Sequence, residues 1–80
     1  MIKRLRDWTD QILLDPKVLG GKPVIKGTRV PVELVVGSLA GTMSVAEVCE
    51  QYRLTPAQVK AALAYAAESL AEERVYALAH

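Results

Sequence analysis

The residue types that carry out chemistry are few in this chain and stand apart from one another. His80, at the last position, is the single histidine, and Cys49 is the single cysteine. A structural zinc site draws several ligands from Cys, His and acidic groups, and nucleophilic catalysis needs a base within reach of the attacking atom. Neither set is present in the sequence, and Cys49 falls in an apolar stripe, where a thiol behaves as a small hydrophobe. Gly20-Gly21-Lys22 and Lys26-Gly27-Thr28 look like fragments of phosphate loops. Neither has the G-x-x-x-x-G-K-[ST] spacing, and no long helix begins where such a loop would deliver its phosphate. No cofactor or metal is expected, and the expected activity is binding rather than catalysis.

The candidate binding residues lie at the start of a helix: Thr55, Ala57, Gln58, Lys60 and Ala61. If this is the second helix of a helix-turn-helix, its exposed first turns face the DNA major groove. Gln58 then suits an adenine edge and Lys60 a guanine or a phosphate. Gln58 also has a competing role as the return arm of a helix cap, which leaves Lys60 as the unencumbered reader. Trihelical units that dock proteins share the same sequence pattern, so both kinds of partner stay open at this point.

The elements that would position these residues are announced by two entry signals. Ser44-Val45-Ala46-Glu47 is a capping box, in which the Ser44 hydroxyl accepts from the Glu47 N–H while the Glu47 carboxylate accepts from the Ser44 N–H. Thr55-Pro56-Ala57-Gln58 repeats the device with Gln as the return arm. Pro56 falls at the first helical position, where its missing N–H costs nothing. Met43 with Val48, and Leu54 with Val59, have the spacing of hydrophobic staples across each start. The first helix therefore runs from about residue 45 to 52, and Arg53 and Leu54 form a tight turn between two steeply crossed helices. Apolar stripes are expected at Val45, Val48, Cys49 and Tyr52, and at Val59, Ala62, Leu63, Ala66 and Leu70.

A third surface must cover those stripes, and the apolar segment after Pro31 supplies it. Val32, Leu34, Val35, Val36, Leu39 and Ala40, bounded by Pro31 and Gly41, read as a helix over residues 32–40. Gly37 inside it costs about 1 kcal/mol against Ala, which suggests close packing against another backbone. The final helix, from residue 56 to about 78, would span about 34 Å, while a compact domain of this size is only about 30 Å across. Its end should protrude, either as an amphipathic tail waiting for a groove or as a frayed terminus.

Before the helices, Gln11-Ile12-Leu13-Leu14 and Pro23-Val24-Ile25-Lys26 read as short strands punctuated by Asp15-Pro16, Gly20-Gly21 and Gly27. Two short strands are marginal alone. They either fold onto the chain's own helices or pair with a second copy through Ile12, Leu14, Val24 and Ile25, which would make a two-fold homodimer. Trp8 has the same two options, capping a small core or meeting a partner.

With 80 residues the chain makes one small domain with a thin core, built mostly of Val, Leu, Ile and Ala because Phe is absent. No apolar run is long enough to cross a membrane and no secretory leader is evident, so a cytoplasmic protein is expected. The net charge of +1 hides an asymmetry. Residues 1–31 carry seven basic and three acidic side chains, a net +4, whereas residues 32–80 carry three basic and six acidic, a net −3. DNA affinity grows with neutralised phosphates. The acidic helical body cannot supply that alone, and Lys22, Lys26 and Arg29 of the basic arm would have to contribute.

The run Asp15-Pro16-Lys17-Val18-Leu19-Gly20-Gly21-Lys22-Pro23-Val24-Ile25-Lys26-Gly27-Thr28-Arg29-Val30-Pro31-Val32 closely resembles the signature of a bacterial and archaeal family of small proteins long listed as of unknown function. Its members look like VapB-type antitoxins paired with PIN-like ribonuclease toxins. The likeness continues through Gly41-Thr42-Met43-Ser44, Tyr52 and Leu54-Thr55, and covers roughly residues 12–67. It implies a β segment, a homeodomain-like three-helix unit, a toxin partner and binding to the operon's own promoter. Family-type DNA contact would fall on residues 55–60, and the region after Ala67 would be free for the toxin. This chain departs from that expectation in the weak charge of its recognition helix and in its short tail.

The expected architecture is mainly α: a short N-terminal β-hairpin or ribbon, then a helix-turn-helix unit whose last helix is extended. Residues 1–31 would form a dimerising basic arm, 32–69 the three-helix unit and 70–80 a helical tail. Leu70, Glu73, Arg74, Val75, Tyr76 and Leu78 would meet the PIN-like toxin, with operator DNA as a further partner. The alternative is a stand-alone helix-turn-helix transcriptional regulator.

Overall fold

The computed structural model describes residues 8–79, with side chains described for residues 8–72. A short antiparallel pair, β1 (Ile12–Leu13) and β2 (Val24–Ile25), precedes three helices, α1 (Val32–Ala40), α2 (Val45–Tyr52) and α3 (Pro56–Ala79). The protein is thus a mainly helical unit with a small N-terminal hairpin.

The strands pair Ile12 with Ile25 and Leu13 with Val24. Asp15 turns the chain away from β1, its carboxylate accepting from the Lys17 N–H at 2.9 Å. Gly20 and Gly21 then bring it back with φ of 67° and 90°, the left-handed region that glycine enters without steric cost. β2 also has a neighbour on its other side. The Ile25 N–H donates to the Val30 carbonyl at 2.9 Å, the Val32 N–H donates to the Pro23 carbonyl at 2.9 Å, and Val24 bridges Pro31. Pro31 is tolerated because it occupies an edge, where no N–H is required.

Ile12, Val24 and Ile25 are the residues expected at a strand-mediated dimer interface, and within the single chain they take the other option, folding onto its own helices. All three are buried in the chain's own core, and β2 is flanked on both sides within one molecule. Of the four residues expected at a strand-mediated interface only Leu14 is exposed. Ile12 and Ile25 join Val32, Val35, Val48, Leu54, Val59 and Ala62 in one apolar cluster. Burying each such Val, Leu or Ile side chain contributes about 1.5–3 kcal/mol.

α1 starts after Pro31 and ends at Gly41, whose N–H donates to the Gly37 carbonyl at 3.0 Å. α2 carries the complete capping box: the Ser44 N–H donates to Glu47 Oε1 at 2.8 Å and the Glu47 N–H to Ser44 Oγ at 3.1 Å. α3 repeats it, with Thr55 N–H to Gln58 Oε1 at 2.8 Å and Gln58 N–H to Thr55 Oγ1 at 3.2 Å. Met43, Val48, Leu54 and Val59, the four staple residues, all belong to the core or pack against it.

Three expectations about facing are corrected. Val45, Leu63 and Leu70 are exposed rather than part of the buried stripes. On α3 the inward positions are Val59, Ala61 and Ala62, followed by the half-buried Tyr65 and Ala66, because α1, α2 and β1 close over that side. Among the described residues Gly37 packs against no other backbone: a Cβ built there would meet nothing within 4 Å. Burial fades along α3 until Leu70, Ala71 and Glu72 are exposed. The molecule is correspondingly elongated, at 41 × 29 × 24 Å.

Candidate nucleic-acid and partner interface

The turn between α2 and α3 is closed by Arg53, which adopts the left-handed conformation (φ 58°, ψ 51°). Its N–H and that of Leu54 both reach the Cys49 carbonyl, Leu54 at 2.9 Å, satisfying a group that the helix end would otherwise orphan. Leu54 is then buried and fixes the angle at which α3 departs. A second tie joins α1 to α2, where the Ser38 and Tyr52 hydroxyls are 3.0 Å apart.

On the first turns of α3, Thr55, Ala57 and Lys60 are exposed. Ala61, expected on the same face, is buried at 8% exposure and belongs to the core. Gln58 is half-buried and its Oε1 accepts from the Thr55 N–H. A bidentate adenine contact needs both ends of the Gln amide, so base reading by Gln58 would break the cap. Lys60 remains the one exposed cation in the first turns of this helix.

The basic residues of the hairpin region divide. Lys26 and Arg29 are exposed on either side of the Gly27 turn, where Gly27 has φ 82° and Thr28 Oγ1 both donates to the Ile25 carbonyl and accepts from the Val30 N–H. Lys22 instead reaches Glu33 of α1 at 3.0 Å, a pair whose side chains are 56% and 69% exposed. Such an exposed pair is easily exchanged for another charge. Lys3, Arg4 and Arg6, three of the seven basic residues of this segment, lie outside the described residues.

Lys22 also lines a groove of about 590 Å³ between α1 and α3, walled by Val32, Val36, Gly37 and Ala66 with Leu70 at its rim. Lys22 and Leu70, expected from sequence to serve different partners, are thus neighbours along one groove. Leu70 is 61% exposed. Glu73, Arg74, Val75, Tyr76 and Leu78 continue the helix, but their side chains lie outside the described residues.

Two features are set by tertiary contacts, the first being which of its two options Trp8 takes. Trp8 packs edge-on against Tyr65, with ring centroids 4.8 Å apart and planes at 89°, and its indole N–H donates to Glu68 Oε1. The α1–α3 groove is the other, since its walls come from segments far apart in the chain. Among the described residues there is no group of three or more His, Cys, Asp or Glu placed to hold a metal, and no helix long and apolar enough to cross a membrane.

Comparison with known proteins adds a family and a fold relative. The chain is similar to the protein in the X-ray crystal structure of Rv2018 from Mycobacterium tuberculosis, at 35% identity and a TM-score of 0.62 over 70% of this chain. The match covers 27% of that chain, so the present sequence spans about a quarter of the longer protein. No curated protein matches. The family described as "Protein of unknown function (DUF433)" matches residues 12–66, from β1 through the two capped helix starts and into the middle of α3. More than half of the sequence is covered by that match, and the chain belongs to the DUF433 family.

Proposed function

We propose that this chain is the antitoxin of a type II toxin–antitoxin pair, a VapB-like protein that binds and neutralises a PIN-like ribonuclease and takes its own promoter DNA as a second ligand. The observation that carries the reading is the course of α3, which begins as the second helix of a capped helix-turn-helix and runs on past the core with Leu70 exposed. One helix thereby offers its start to DNA and its end to a protein. The helical half, residues 32–80, is net acidic, which suits a partner whose RNA-binding surface must be basic. In this reading the chain inhibits by covering that surface and performs no chemistry itself.

The test is co-expression with the product of the neighbouring reading frame. Co-purification, together with loss of that protein's RNA cleavage on adding the chain, supports the reading. A neighbour that neither binds nor cleaves RNA removes it. A second reading, a stand-alone transcriptional regulator, is favoured by the intact turn and by the exposed Thr55 and Lys60. It requires tight promoter binding without any partner, falling steeply with salt.

A further inference from the structure

The groove between α1 and α3 is apolar and open, and none of the described residues fills it. Gly37 lies inside α1, where glycine weakens a helix, yet a Cβ there would meet nothing within 4 Å. No described group of the chain uses the space that its missing side chain leaves. Val36 and Ala66 wall the notch, and Leu70 stands 61% exposed at the rim. A notch between apolar walls with an exposed leucine beside it is the kind of surface that a docked helix face covers.

The charges nearby select the occupant. The groove's own cation, Lys22, is paired with Glu33 at 3.0 Å. Tyr65 and Ser69 form a ridge shared with an adjoining groove that holds Glu68 and Glu72. A second copy of this chain would bring two acidic helical bodies together, whereas a basic partner would not. We propose that the groove receives a helix of the partner nuclease, one that sets an apolar side chain into the Gly37 notch and carries Lys or Arg along its flanks. This rests on the antitoxin reading and assigns its protein contact to the α1–α3 groove, ahead of the residues beyond Glu72.

The experiment is a titration of the neighbouring gene's nuclease against the full chain and its Gly37→Leu and Leu70→Ser variants. Gly37→Leu fills the notch with a better helix former, so its melting temperature should hold or rise while affinity falls by at least about tenfold. Leu70→Ser should also weaken binding without loss of fold. Equal binding by wild type and Gly37→Leu overturns the groove and leaves the antitoxin reading standing. Absence of binding even by wild type overturns both. If light scattering gives the isolated wild type twice the chain mass and Gly37→Leu the single mass, the occupant is a second copy and the proposal is wrong.

Discussion

The indole N–H of Trp8 donates to Glu68 Oε1 at 2.6 Å, joining residues 60 positions apart at the level where α3 leaves the core. The same indole sits edge-on to Tyr65, one helical turn before Glu68. Burial of the hairpin is thereby extended along α3 beyond Ala62, the last fully buried residue described on that helix. A thin core gains a second point of closure, built from an aromatic pair and a charge-assisted hydrogen bond.

Trp8→Phe keeps the ring against Tyr65 and removes the donor, and should cost about 1 kcal/mol. Trp8→Ala also removes the ring and should cost about 2 kcal/mol, below the range for a fully buried tryptophan because Trp8 is only half-buried. In a domain of this size each kcal/mol lowers the melting temperature by about 4–8 °C. Thermal melts of the two variants check the split between ring and donor, and a Trp8→Phe melt equal to wild type would deny the hydrogen bond any net value.

The two capping boxes should be nearly equivalent in stability. Ser44→Ala and Thr55→Ala each remove a side-chain acceptor from an N3 amide, at a cost of about 1 kcal/mol apiece. Urea unfolding followed by circular dichroism measures both. Gln58→Ala should lose part of the same cap, because its Oε1 satisfies the Thr55 N–H.

Arg53 holds a left-handed conformation that glycine adopts more easily. Arg53→Gly should therefore stabilise the chain, by up to about 1 kcal/mol, since the relief of Cβ strain exceeds the extra entropy of the unfolded glycine. A lower melting temperature for Arg53→Gly would mean that the side chain, and not the backbone, matters at this corner.

Local features of the fold were readable in the sequence and distant ones were not. Ser44, Thr55, Pro31 and Gly41 act within a few residues of their own positions, and the helix limits they announce, 32–40, 45–52 and the start at 56, are those observed. The second neighbour of β2 was missed because Pro31 reads as a helix boundary, and nothing local says that it also closes a ladder with Val24. Val45 and Leu63 fit the helical stripes by spacing alone. Their exposure depends on which neighbours cover each side, which spacing does not encode. Gly37 shows the same limit: the expectation of close packing rested on the cost of glycine, whereas the described residues around it leave its notch open. The exposure of Thr55, Ala57 and Lys60 on the first turns of α3 was legible. The groove was not, because Lys22, Gly37 and Leu70 meet only through tertiary structure.

On the proposed reading, DNA binding measured on the chain's own promoter should depend on the hairpin cations more than on base reading. Lys26→Ala and Arg29→Ala, both at exposed positions, should each lower the slope of log K against log salt by about 0.9. Lys60→Ala should weaken binding too, and a sequence-dependent loss would mark it as a base reader. Slopes unchanged by both hairpin variants would exclude the Gly27 turn from the phosphate contacts.

Truncation separates the fold from the partner surface. The last described residues of α3, Leu70, Ala71 and Glu72, are exposed, and the core ties along the helix end with Tyr65, Ala66 and the Trp8–Glu68 contact. Removing residues 73–80 should accordingly shift the melting temperature by no more than about 4 °C, the equivalent of less than 1 kcal/mol. Cutting before Tyr65 removes the aromatic partner of Trp8 and one wall of the groove together. It should abolish cooperative unfolding, because a thin core cannot lose that side of α3 and remain folded. On the proposed antitoxin reading, the shorter truncation also separates two contributions to toxin binding. With the groove intact and the tail gone, residual affinity measures what α1 and the middle of α3 supply, and the difference from the full chain measures what Arg74, Tyr76 and Leu78 add.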